Sequence, residues 1–365
     1  MSEIIVSSNP IPTTKRVWVI RSGKNAAYYQ HFRKNGIVAI GHIADLNVGN
    51  ISGELSLNDK NKILGLYKTS LIEEGEESAV VSRQTGQVYQ FLNVVKEGDT
   101  VLTITDSVVL AGIVKSKCYY DKTGLRSSVN DSTDDNVCYF PLRIKVEWGH
   151  THARQHIPYV IDRSFRNTGT IFSISDEEKI NVINHWLQPI HFVENEVRCS
   201  ISINSHDALS NRALSSLSHV YDELELLANF LSSTDDLNSL TKDDFINFIR
   251  DNSSEFQYQL TAQHAFMSPG FQFIQLKGDK TVLKVFAICI CLLFNNQVVF
   301  AEENENNPEL TKKAMELVQV VKTSKIENSI DSLDAEMQKQ AYKIVDTDDI
   351  DISFEKPTPS TDAML

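Results

Sequence analysis

Residues 16–42 read RVWVIRSGKNAAYYQHFRKNGIVAIGH. A continuous apolar run, Val17 to Ile20, ends on the basic turn Arg21-Ser22-Gly23-Lys24. An aromatic-rich segment of helical character, 25–34, then leads to a second apolar run, Ile37 to Ile40, with His42 just beyond it. Apolar runs this short, bounded by Gly, Lys and Asn, predict strands buried on both faces. The density of Trp18, Arg21, Lys24, Tyr28, Tyr29 and His42 admits two readings. One is packing with a few solvated charges. The other is a pocket that stacks a flat ligand and holds its phosphate.

Strand signals continue outward to about residue 175. DTVLTI and VVLAGIVKSKCYY follow a turn at Gly98-Asp99, and GTIFSIS closes the set. In YFPLRIKVEW, Leu142, Ile144 and Val146 alternate with Arg143, Lys145 and Glu147, the pattern of a half-buried strand. A second helix is expected at 84–96, where Val88, Phe91, Leu92 and Val95 share one face. Five or six short strands with two helices predict a small curled β-barrel with helices packed on it. The polar run 120–136 reads as a mobile loop between strands.

From residue 176 the pattern turns helical. SDEEKINVINHWL opens with a capping-box look, Ser175 and then Glu178. Leu209, Ala213, Leu217, Val220, Leu224, Leu227 and Leu231 mark a long amphipathic helix, and Thr241 with Asp244 caps a shorter one. A mixed stretch, 255–300, has a turn at Ser268-Pro269-Gly270 and then two strand-like apolar segments. Asn307-Pro308 opens a last helical region, 309–345, which splits near Lys325. The organisation expected is therefore a flexible arm (1–14), a β-barrel domain (15–175), a helix-rich α+β domain (176–345) and a disordered acidic tail (346–365).

Composition narrows the class. The five cysteines, 118, 138, 199, 289 and 291, lack CxxC spacing and read as reduced thiols of a cytoplasmic protein. The polar N-terminus speaks against an export signal. VFAICICLLF, 285–294, is half the length of a membrane span, so it reads as a buried strand or core helix, and no membrane insertion is expected. The net charge of −13 is uneven: residues 15–165 hold 19 Lys and Arg against 16 Asp and Glu, the rest 16 against 32. A mildly basic first domain is compatible with a nucleic acid or nucleotide, and the acidic remainder opposes indiscriminate binding.

VWVIRSGKN, NGIVAIGH, VYQFLNVVKEGDTVLT with LAGIVKSKCYY, FPLRIKVEW and GTIFSI stand in an order that resembles the N-terminal domain of Mrr-type restriction proteins, which is similar to the EVE and PUA folds. The resemblance covers roughly residues 16–175. It implies a partly open barrel that reads nucleic acid, accepting a flipped or modified base among aromatics. In prokaryotic defence proteins such a domain is a sensor beside a separate effector. The matching positions are Trp18 and Arg21 of WVIR, Gly23 of the turn and Trp148 of VEW. One position departs: relatives usually carry Trp after AIG, where this chain has His42.

The candidate ligand residues are thus Trp18, Arg21, Gly23, His42 and Trp148. Aromatic rings stack bases, and Arg21 or Lys24 suits a phosphate. The competing reading puts Trp18 and Trp148 in the barrel core. FIQLKGD offers an alternative, since a strand ending in Gln275-x-Lys277 resembles one element of Mrr-type nucleases, where Mg²⁺ sits on an upstream acid. The nearest upstream acids are Asp251 and Glu255. His150, His152 and His156 have metal-capable spacing without a nearby acidic or Cys partner, so a loop cluster is the favoured reading. No GxGxxG or Walker loop occurs. The fold class expected is α+β. The leading function is nucleic-acid or nucleotide recognition without a cofactor, passed on to a partner effector. A metal-dependent nuclease using Mg²⁺ and a non-catalytic interaction protein are the alternatives. The apolar helix stripes leave self-association into a homo-oligomer open.

Overall fold

The computed structural model describes residues 2–8, 16–127, 137–154, 157–234, 236–266 and 270–339. It begins with β1 (Ser2–Val6), β2 (Val17–Ile20), α1 (Tyr29–Asn35) and β3 (Ile37–Ile40). A two-residue strand β4 (Gly53–Glu54) precedes α2 (Leu57–Glu73) and α3 (Ser78–Tyr89). Next come β5 (Thr100–Ile104), β6 (Val108–Val114), the short β7 (Tyr119–Tyr120), β8 (Leu125–Arg126) and β9 (Val137–Cys138), and the long β10 (Leu142–Ala153). Helix α4 (Tyr159–Ser164) and β11 (Ile171–Ile174) complete the first module.

Its sheet runs β11-β2-β5-β6-β10-β7-β4, with β3 added on β10. Only β2 and β5 pair in parallel; the other ladders are antiparallel. The first half of β10 carries β3 and β7, and its second half carries β6. A register shift between Trp148 and Thr151 bends it at the changeover, which curls the sheet. The molecule is mixed α and β, with a curled half-barrel sheet.

Strand alternation on β2 serves two cores at once. Trp18 and Ile20 point into the half-barrel with Phe32, Val38, Ile40, Phe91 and Ile144. Val17 and Val19 point to the other face, against Ile161 and Phe165 of the α4 region and Trp186 beyond it. On β10, Ile144 and Val146 face the core as the sequence pattern predicts, but Arg143 is buried too. The turn at Asp121–Thr123 folds over it: Asp121 forms a 2.9 Å ion pair, and the Thr123 oxygens and the Phe140 carbonyl take its other protons.

Two helices differ from the sequence reading. The aromatic segment at 25–34 starts with a 3₁₀ turn, Lys24–Ala26, and becomes α-helical only at Tyr29, because Asn25 takes a left-handed φ of 52°. Helix 84–96 begins earlier, at Ser78, and ends in a π-turn, Gln90–Val94. Helix α2 carries little apolar periodicity, since only Ile63, Tyr67 and Leu71 are buried along its polar length. Its capping box, Ser56 with Asp59, was the available signal.

The second module holds α5 (Glu177–Leu187), β12 (Ile190–Val193), β13 (Glu196–Ile203), α6 (Asn211–Ser232) and α7 (Lys242–Asn252). Then follow β14 (Thr261–Phe266), β15 (Gly270–Lys277), α8 (Lys280–Leu293), β16 (Asn296–Phe300), α9 (Pro308–Val321), α10 (Ser324–Leu333) and β17 (Ala335–Met337). The cap of α5 is Asp176, which accepts from the Lys179 amide, rather than Ser175. The predicted Thr241–Asp244 capping box of α7 is present. Of the two readings of the apolar run 285–294 the core helix holds: residues 285–293 lie in α8 with Phe294 at its end, packed against α6, α9 and β13. Among the described residues no helix is long and apolar enough to cross a membrane.

Two features tie the modules together. The stretch read as a flexible arm holds β1, which pairs in parallel with β16 of the second module. Ser7 and Ser8 then bond the Glu302 carboxylate at 2.7 and 2.9 Å. Trp186 of α5 and Phe271 and Phe273 of β15 also share one core with the outer face of the first module's sheet. The predicted boundary at 175/176 therefore runs through a packed junction.

Candidate functional site

Strands β2 and β3 both end at one cleft of about 760 Å³. Arg21, Gly23 and Lys24 line it from the first strand end, and Gly41, His42 and Asp45 from the second. Tyr67 and Glu74 come from α2 and its end, Gln84 from α3, Phe140 from the approach to β10, and Thr168 and Thr170 from the approach to β11.

The glycines explain the close approach of these loops. Gly23 has a φ of 84°, and a Cβ there would sit 2.8 Å from the Tyr28 ring. A Cβ on Gly41 would overlap Phe140. The Phe140 ring meets Tyr28 edge to face, with centroids 4.9 Å apart. His42 meets Tyr67 in the same way at 6.0 Å. The Tyr67 hydroxyl lies 2.6 Å from Gln84 Oε1, and burial, then Glu74 and Glu76, push its pKa up to about 12. Burial lowers the pKa of His42, so near neutral pH it is an uncharged imidazole with one donor and one acceptor.

Arg21 is anchored by its neighbours. Its amide donates to Thr170 O at 2.9 Å, and its Nη2 donates to Phe165 O and Asn167 O, both at 2.7 Å. Its Nε is buried without a hydrogen-bond partner among the described residues. Burial, and then Arg154, lower its pKa. The cleft is mixed in charge, with Arg21 and Lys24 facing Asp45, Glu74 and Glu76.

Of the five residues singled out from sequence, Arg21, Gly23 and His42 meet here, and the two tryptophans do not. Trp18 is fully buried, and its Nε1 donates to Asp99 Oδ2 at 2.9 Å. Its place is the barrel core, since its position on β2 turns it inward. Trp148 lies across the sheet, donating to Phe32 O at 2.9 Å, and lines a separate crevice between the modules. Phe140, Tyr67 and Gln84 were missed. Gly41 was the one local hint of Phe140, and α2 and α3 reach the cleft only through tertiary packing.

The alternative centre looks different. Lys277 and Gln275 share a face of β15, but the acid beside Lys277 is Glu196 of β13, 3.3 Å from its Nζ. Glu196 also holds Arg198 at 3.0 Å. Asp251 lies on α7 beside Arg250, and Glu255 follows the end of that helix. A carboxylate shared by two cations is a poor Mg²⁺ ligand, so these residues do not fit a metal centre. His152 is buried against Gln338 and His150 is exposed; His156 lies outside the described residues. Among the described residues no group of three or more His, Cys, Asp or Glu is placed to hold a metal. Comparison of the chain with family models, curated proteins and solved structures finds no match.

Proposed function

We propose that the first module recognises a nucleotide unit of a nucleic acid, or a free nucleotide, in the cleft between Arg21 and Tyr67. The observation that carries this reading is the convergence of Arg21, Gly23 and His42, chosen from sequence, with the aromatic rings of Phe140 and Tyr67 in one cleft. Its volume is in the range of small-ligand sites. An aromatic wall offers a base about 1–3 kcal/mol of stacking. The neutral imidazole of His42, the Gln84 amide and Asp45 offer hydrogen bonds to a base edge, and Arg21 offers a charge-assisted bond to a phosphate. The shared core behind β2 supports a role for the second module in passing the event to a partner, in the defence setting that the resemblance implies.

The test is a titration of plain, methylated and hydroxymethylated oligonucleotides and of cyclic nucleotides, followed by fluorescence anisotropy at low salt. Arg21→Ala and His42→Ala are expected to weaken the best ligand about tenfold or more, in line with the loss of one stacking or charged contact. Absence of binding by the unmodified protein for all of them sinks the reading.

A further inference from the structure

At the far end of β3 from the cleft, three segments meet on one basic surface. The turn between α1 and β3 is held by Gly36 O, which accepts from the Val146 amide at 2.8 Å. On β10, Lys145 faces Ile37 in the ladder. The chain after β6 joins there too: the Lys115 amide donates to Lys145 O at 2.8 Å, and the Lys145 amide donates to Ser116 Oγ at 2.9 Å. These bonds bring the backbone at Gly36, Lys115, Ser116 and Lys145 to one edge, and Arg33, Lys34, Lys117 and Lys145, all exposed, stand at it or within three residues of it along the chain. None of the four is in an ion pair among the described residues. Glu147, the acid beside them on β10, is already neutralised by Lys115 at 2.8 Å. The face lies in residues 15–165, which hold 19 Lys and Arg against 16 Asp and Glu on a chain whose net charge is −13.

We infer that this surface tracks the phosphate backbone of a nucleic-acid strand whose recognised nucleotide sits in the cleft. The inference rests on the cleft reading and adds that the ligand is a polymer. From Gly36 to Gly41 the chain runs along β3 for about 16 Å at a strand's rise. That is close to the axial rise of about five nucleotides along one strand. A ligand shorter than this reaches the cleft alone, and a longer one gains the four cations. Arg33 and Lys34 also complement the C-terminal end of α1, which explains their place on the helix but not their company with Lys117 and Lys145.

The experiment compares Lys34→Glu/Lys145→Glu with a charge-matched control on the second module, Lys242→Glu/Lys312→Glu. Each is titrated with a labelled trinucleotide and with a single strand of about twenty nucleotides, between about 50 and 200 mM salt. The patch variant is expected to leave the trinucleotide untouched. It should weaken the long strand at least tenfold at the low-salt end and reduce the slope of log affinity against log salt by about 1.5, the release of two phosphate contacts. The control should leave that slope unchanged. Lys34→Gln/Lys145→Gln, with thermal melts of all variants, guards against misfolding. If the trinucleotide binds and the patch variants match the unmodified protein on the long strand, the backbone track is wrong and the cleft reading stands. If the unmodified protein binds neither ligand, both fall. If the patch variants alter sedimentation but not nucleic-acid affinity, the surface belongs to a second copy of the chain and the inference is overturned.

Discussion

Arg21 reaches past the end of its strand so that a single nitrogen, Nη2, donates to the carbonyls of both Phe165 and Asn167 at 2.7 Å. Phe165 belongs to the core shared between the modules. The side chain proposed to meet a phosphate therefore also anchors the segment leading from that core to β11. Arg21→Lys keeps a charge but not the guanidinium geometry that spans both carbonyls. We expect it to cost about 1.5–3 kcal/mol in urea unfolding, the range for hydrogen bonds to a charged group. Wild-type stability for both Arg21→Lys and Arg21→Ala would show that the carbonyls are not held.

Phe140 fills the space that a side chain at position 41 would need. Gly41→Ala should destabilise by about 1–3 kcal/mol through overpacking. Combining it with Phe140→Leu should recover part of that loss, because the ring is the obstacle. A double-mutant cycle by chemical denaturation measures the coupling, and strict additivity would mean that the two positions do not touch.

Three histidines with lowered pKa values, His152 and His191 buried and His185 part-buried, weaken the fold in acid. Burial holds His152 and His185 at about 4, each with smaller contributions from neighbours, and places His191 well below its ordinary value. These groups are neutral in the folded protein and titrate near 6.5 when unfolded. Below about pH 6.5 the unfolded chain therefore binds more protons, and stability falls as pH drops toward 4. Each histidine contributes up to about 1.4 kcal/mol per pH unit within that window. Urea melts between about pH 7 and 5.5 should show the decline, and His152→Gln should reduce its slope by about a third; a pH-independent midpoint contradicts the assignment.

The first strand binds the modules through β16 and through Glu302. Deleting residues 1–8 removes the buried Ile4 and Val6 along with the ladder. Each apolar side chain lost is worth about 1.5–3 kcal/mol. The truncated chain should melt well below the full one, with earlier hydrogen exchange along β16. Equal exchange in the two proteins would mean that β1 contributes nothing to holding the second module.

Sequence alone carried the parts that depend on local pattern. The continuous apolar runs at 17–20 and 37–40 are strands because residues buried on both faces leave no polar alternation. Thr241 with Asp244, and Asn307 before Pro308, mark helix starts because their side chains satisfy the first amides. Arg21, Gly23 and His42 could be picked out because both strand ends lie within one short stretch.

Tertiary structure decided what periodicity cannot encode. Trp18 and Arg21 are three residues apart, yet one is sealed in the barrel and the other lines the cleft, since β2 passes out of the sheet between them. VFAICICLLF is helical because α6, α9 and β13 enclose it, whereas its apolar residues alone suit a strand equally well. Arg143 alternates like a surface residue and is buried only because the 121–123 turn folds over it. Phe140, Tyr67 and Gln84 reach the cleft from three distant segments. Their meeting depends on contacts made across the sheet and between the helices, and those contacts leave no mark on any single stretch of sequence.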